Sequence, residues 1–146
     1  MPNPSLFRSR ETGEIPFHIF RKNICKSLLQ QDFGVDVSQI VDEDLEHTLL
    51  WYQADYELFL ARIDMSDDSD TINLATALLD KKTPRLTGGV HGIKLLQEML
   101  KKLDGQIQAN AIIERLKIRL LCTAIEINNK QIIIDIIEEN NPTSLT

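Results

Sequence analysis

The chain has 146 residues, 42% of them hydrophobic and 26% charged, and its formal net charge is −6. This composition predicts a folded domain rather than a disordered chain, and the acidic balance argues against a nucleic-acid partner. No signal peptide and no membrane-spanning run are recognised, so we expect no membrane insertion and a cytoplasmic location, either in the producing cell or in a host cell. The two cysteines are expected to be buried free thiols.

The charges are unevenly distributed along the chain. Residues 32–70 contain twelve acidic residues and one basic residue, Arg62, whereas residues 81–119 contain nine basic and three acidic residues. Such polarity can steer an oppositely charged partner or bring two copies together. We favour the simpler interpretation, in which the two halves face each other or are solvated.

Six helices and no strand are predicted, so the fold class is all-α. Residues 1–15 lack apolar periodicity and are predicted to form a flexible arm, followed by a single helical domain over 16–141 and a tail over 142–146. The first helix is predicted to begin at Pro16 and to stop at Gly34. Its apolar stripe consists of Phe17, Phe20, Ile24 and Leu28.

The second predicted helix follows the acidic residues 42–44, and it has the clearest periodicity in the chain. Its apolar residues recur at heptad spacing: Leu45, Leu49, Tyr52, Tyr56, Phe59 and Ile63. A long helix lying across the core is favoured; the alternative is a homodimer through Leu45, Leu49, Tyr52 and Tyr56. Trp51 and Leu58 fall off this stripe and indicate either a second buried face or an exposed apolar patch.

Four further helices are predicted in the second half of the chain. The acidic loop over 64–70 is interpreted as a helix cap with Asp70 at the N-cap position, and Pro84 breaks the chain after the third helix. The last helix contains the pairs Ile132-Ile133 and Ile136-Ile137, whose spacing is typical of a buried helix face.

The C-terminal half, residues 71–141, resembles degenerate ankyrin repeats. Paired apolar residues at Ile132-Ile133 and Ile136-Ile137 follow a turn at Asn128-Asn129, and the pairs Leu95-Leu96 and Met99-Leu100 repeat this pattern 37 residues upstream. Asn140 stands where that family usually has glycine. The resemblance implies two helical hairpins whose end is capped by the N-terminal helices over 16–63.

No catalytic residue, metal ligand or cofactor is predicted. His18, His47 and His91 lack the spacing to a cysteine or to each other that a zinc site or a nucleophile–base pair needs. The chain is therefore not expected to be an enzyme.

The loop over 82–92 is the best candidate site. Its glycines could leave backbone N–H groups free to bind an anion beside basic side chains, although glycines that merely permit tight turns are the favoured interpretation. The GxxG over 89–92 is also typical of RNA-binding KH domains, a reading that the acidic chain and missing strands argue against. The predicted binding residues combine this loop with the later turn: Arg85, Gly88, Gly89, His91, Gly92, Lys94, Asn128, Asn129 and Lys130.

The predicted function is a non-enzymatic protein–protein interaction module whose partner is another protein. A bacterial effector, or an effector domain acting on a host protein, would fit such an isolated repeat module. The alternative is a small acidic cytoplasmic chaperone, immunity protein or antitoxin, whose residues 32–70 would neutralise a basic partner.

Overall fold

The structure, a computed structural model, describes residues 14–80 and 86–139. Within these ranges there are six α-helices, three short 3₁₀ turns and no strand, which confirms the all-α prediction. The helices are α1 (Glu14–Phe33), α2 (Leu45–Met65), α3 (Asp68–Asp80), α4 (Gly89–Leu103), α5 (Asn110–Glu126) and α6 (Lys130–Glu139). The predicted arm up to residue 13, Pro84, Arg85, Asn140 and the tail lie outside the described residues.

Helix α4 is the centre of the packing. It contacts α1, α2, α3 and α5, while α6 packs against α5. Leu95, Leu96, Met99 and Leu103 on α4 are completely buried. Burying a side chain of this size stabilises the fold by roughly 1.5–3 kcal/mol, so α4 organises the hydrophobic core.

The heptad stripe of α2 faces the core, as the favoured interpretation predicted. Leu45, Leu49, Tyr56 and Ile63 are buried, and Tyr52 is partly buried against the same cluster. The homodimer through Leu45, Leu49, Tyr52 and Tyr56 is therefore wrong, because these side chains already pack inside one chain.

Helix α1 begins two residues before Pro16 and ends as predicted. Gly34 follows it with φ +66°, and the Gly34 N–H donates to the carbonyl of Gln30 at 3.0 Å. This left-handed cap suits glycine, which has no Cβ to clash.

The predicted apolar stripe of α1, however, faces solvent except at Leu28, which is partly buried against the core. Phe17 and Phe20 are 64% and 60% exposed, and Ile24 is also exposed. The core is contacted instead by the other side of the helix, where Leu29 and Phe33 are buried. Because α1 has apolar residues on both sides, periodicity alone identified the exposed side as the core face.

The connections bring two smaller corrections. The side chain of Asp67, not Asp70, caps the start of α3, accepting from the Asp70 N–H at 2.8 Å. In α6 only Ile136 is buried; Ile132 and Ile133 are half-buried, and Ile137 is exposed. The isoleucine pairs therefore form a buried face only in part, because α5 covers one side of this helix.

Candidate functional site

The glycines of the predicted loop lie where α4 begins against the end of α1. A Cβ on Gly88 would lie 2.6 Å from the carbonyl oxygen of Phe33, and one on Gly89 would lie 2.6 Å from the Phe33 nitrogen. Gly89 also has φ +67°. Only glycine lets these two backbones approach so closely. The carbonyl end of α1 thus lies beside the N–H end of α4, an arrangement that the helix dipoles favour.

This packing gives the loop an internal structural role. Gly89 and Gly92 are buried, and the start of α4 is covered on one side by α1. The loop is also tied to α5, since the hydroxyl of Thr123 donates to the Thr87 carbonyl at 2.6 Å. The glycines therefore support the tight-turn interpretation.

His91 belongs to an aromatic cluster. Its ring centroid lies 4.7 Å from that of Phe33 and 4.4 Å from that of Tyr56. Its Nδ1 atom lies 3.9 Å from Oδ2 of Asp32 and has no hydrogen-bond partner among the described residues. Burial raises the pKa of Tyr56 above its usual value, and the negative charge of Glu98 adds to this shift. These contacts fix His91 as a packing residue between α1, α2 and α4.

Lys94 borders a cleft of about 640 Å³ between the end of α2 and α4. Lys102, on the same cleft, donates to the carbonyls of Ile63 and Asp64 at 2.8 and 3.0 Å and so caps the end of α2. The cleft also contains Lys101 and the carboxylates of Asp64 and Glu98, which offset most of the lysine charge. Within the described ranges no group of three His, Cys, Asp or Glu side chains is arranged to hold a metal ion.

The turn between α5 and α6 is a left-handed helix cap. Asn128 has φ 59°, its N–H donates to the Ile125 carbonyl at 3.1 Å, and the Asn129 N–H donates to the Ala124 carbonyl at 2.8 Å. The Asn129 side chain then accepts from the Ile132 N–H at 3.2 Å and caps α6. Because Thr123 bonds Thr87, this turn lies at the same end of the molecule as the predicted loop.

The predicted binding residues therefore separate into three groups. Gly88, Gly89, Gly92, His91 and Asn129 serve packing or capping, and Arg85 lies outside the described residues. The exposed members are Lys94, Asn128 and Lys130.

A surface on α2 was only partly recognised in the sequence. Six residues, spaced 4, 3, 4, 3 and 4 apart, lie on the helix face opposite its core stripe, and all are exposed. The largest are Trp51, Leu58 and Met65, which are 47%, 56% and 84% exposed. Trp51 and Leu58 thus belong to an exposed patch, not to a second buried face. We call this set the outer stripe: His47, Trp51, Ala54, Leu58, Ala61 and Met65.

Acidic side chains border the outer stripe. Asp55, Glu57 and Asp64 make no ion pair with a described residue, whereas Asp42 and Glu46 pair with basic residues of α1. Three described basic residues of 81–119 form ion pairs, and their partners lie outside the 32–70 segment: Lys101 pairs with Glu98, Arg115 with Asp80 and Lys117 with Glu139. Among described residues, the two oppositely charged halves therefore do not neutralise each other through lysine or arginine pairs.

A second exposed apolar area lies on the last two helices. Ile118 and Ile125 on α5 and Ile134 and Ile137 on α6 are exposed. Cys122 is exposed as well, so the expectation of a buried thiol is wrong for this residue, while Cys25 is half-buried; both are free.

Comparison of the chain with protein-family models, with curated proteins and with solved structures gives no match. In the described part of the chain, no helix combines the length and the apolar character that crossing a bilayer requires.

Proposed function

We propose that this protein is a non-enzymatic interaction module that binds another protein through an exposed helix face. The observation that carries the proposal is the outer stripe of α2, where Trp51, Leu58 and Met65 remain in water. Contiguous exposed apolar surface of this kind is typical of protein–protein contacts. Docking would stabilise the complex by roughly 1–2 kcal/mol for each of these partly exposed side chains.

The resemblance to ankyrin repeats supports a second part of the proposal. In that family the hairpin turns and adjoining helix surfaces contact the partner. Lys94, Asn128 and Lys130 would then form an additional polar contact region at the loop end of α4 and α5. A bacterial effector acting on a host protein is the setting that such a module would suit.

Crosslinking capture tests the proposal. Leu58→Glu places a charge in the middle of the outer stripe, while Ile107→Glu makes the same kind of change at another exposed apolar residue, which is 81% exposed. We expect the wild type and Ile107→Glu to capture the same proteins, and Leu58→Glu to lose them. Circular dichroism would verify that both variants fold. Equal capture by all three proteins would refute a role for the outer stripe.

A second candidate function is an acidic chaperone, immunity protein or antitoxin that neutralises a basic partner. It is favoured by Asp55, Glu57 and Asp64 in the acidic segment 32–70, which form no ion pair with a described residue. Binding dominated by exposed charges weakens as salt rises, whereas apolar docking does not. Capture that survives Leu58→Glu but disappears at high salt would support this candidate over the first.

A further inference from the structure

The outer stripe has the dimensions of a helix-docking surface. It extends over 19 residues, from His47 to Met65, a rise of about 27 Å along the helix. Its alternating spacings of 4 and 3 residues are those that keep a second helix in contact over several turns.

The shape of the stripe also alternates. Large side chains at Trp51, Leu58 and Met65 are separated by Ala54 and Ala61, which leave two shallow recesses. Tight packing therefore requires large side chains on the partner opposite the two alanines.

The middle of the stripe is flanked by carboxylates, with Glu57 on one side and Asp55 on the other. Towards the end of α2 the charges are mixed, because Arg62 flanks the stripe there and Asp64 lines a cleft that also holds three lysines. A docked helix would place its own flanking residues beside the carboxylates of Asp55 and Glu57. Lysine or arginine at those positions is therefore favoured over glutamate or aspartate.

A second copy of α2 does not satisfy both the shape and the charge. A parallel copy would put Trp51 against Trp51 and Ala54 against Ala54. The two tryptophans would then collide, and the two alanines would leave a gap between the helices. An antiparallel copy would match Trp51 to Ala61 but would set Asp55 against Asp55 and Glu57 against Glu57. Like charges facing each other destabilise a helix pair.

We propose that the outer stripe binds a basic amphipathic α-helix of a partner protein, with large apolar residues at heptad spacing and lysine or arginine on its flanks. The inference rests on the proposed function and specifies the partner's chemistry. It commits to a helix because the stripe follows a heptad, and to a basic one because Asp55 and Glu57 flank the middle of the stripe.

Trp51 provides the assay, since it is the only tryptophan in the chain and lies on the stripe. Two synthetic helical peptides with the same leucine heptad serve as probes, one with lysine and one with glutamate at the flanking positions. We expect the lysine peptide to shift the Trp51 emission to shorter wavelength and to bind at least about tenfold more tightly than the glutamate peptide.

Variants localise the effect. Leu58→Glu should weaken binding of the lysine peptide by about tenfold or more, whereas Ile107→Glu should not change it. The double variant Asp55→Lys/Glu57→Lys should instead prefer the glutamate peptide. Equal binding of the two peptides, or a lysine preference that survives this double variant, would overturn the inference.

The other outcomes separate the two proposals. Sedimentation that shows a wild-type dimer dissociated by Leu58→Glu would assign the stripe to a second copy and overturn the basic helix. If Leu58→Glu still abolishes capture while the peptides bind equally, the interaction module stands and only the partner's charge is wrong. If Leu58→Glu affects neither capture nor peptide binding, both proposals fail.

Discussion

Gly92→Ala should destabilise the protein although alanine is the better helix former. A Cβ at this position would lie 2.6 Å from the Thr87 carbonyl oxygen, which the buried Thr123 hydroxyl holds in place. Overpacking of this kind costs about 1–3 kcal/mol, and losing the Thr123 hydrogen bond would add about 1–3 kcal/mol. Subtracting about 1 kcal/mol for helix propensity leaves a net loss of about 1–5 kcal/mol in the free energy of unfolding.

Gly105→Ala is the matched control. Gly105 has φ +81°, but no atom lies within 4 Å of where its Cβ would be, so the variant carries backbone strain without a clash. That strain costs about 1–2 kcal/mol. Urea unfolding followed by circular dichroism measures both variants on one scale.

Close packing at Gly92 predicts that Gly92→Ala loses more free energy of unfolding than Gly105→Ala. A Gly92→Ala protein as stable as the wild type would refute the close packing of α4 on the loop. Inorganic phosphate provides an independent check, because a ligand that binds only the folded state raises its stability. An unfolding midpoint that rises with phosphate would contradict the covered start of α4.

Two further predictions concern the hydrophobic core and the raised pKa of Tyr56. Leu96→Ala, at a completely buried site on α4, should lower the free energy of unfolding by about 2–5 kcal/mol. Ile133→Ala, at a half-buried site on α6, should lower it by only about 1–2 kcal/mol. If urea unfolding gave equal losses for the two variants, the partial burial of α6 would be contradicted. Because the pKa of Tyr56 is raised from 10.0 in the folded state, we expect its contribution to stability to be present below pH 10 and to be lost as pH rises through the folded pKa. Glu98→Gln should lower that pKa, measured by phenolate absorbance in a Tyr52→Phe background, and an unchanged titration would show that Glu98 has no part in the shift.

The local features of the fold could be predicted because they depend on neighbours in the sequence. The heptad of α2 predicted its buried side, and Gly34 predicted the left-handed cap that ends α1. A turn was predicted at Asn128-Asn129, and Asn128 takes the left-handed conformation there. Each depends on helix periodicity or on the steric tolerance of one residue, both of which are local properties.

The candidate site was harder to predict because its glycines serve a contact between distant segments. Gly89 needs its missing Cβ because Asp32 and Phe33 occupy that space, and nothing in the residues around Gly89 identifies them. A glycine-rich stretch before a helix is compatible with an anion site, with a flexible turn and with close backbone packing. Only the position of α1 distinguishes these.

The sequence by itself determined that the chain is helical, where its clearest helix has a core face, and which residues can take a left-handed backbone. Tertiary structure decided which apolar face of α1 is buried and that the second apolar face of α2 stays uncovered, because both depend on the helices packed beside them. Phe17 and Leu58 satisfy the same 3.6-residue periodicity as buried residues do, yet both remain exposed. Periodicity records that a face is apolar; the other helices determine whether that face is covered, and an uncovered one is available to a partner.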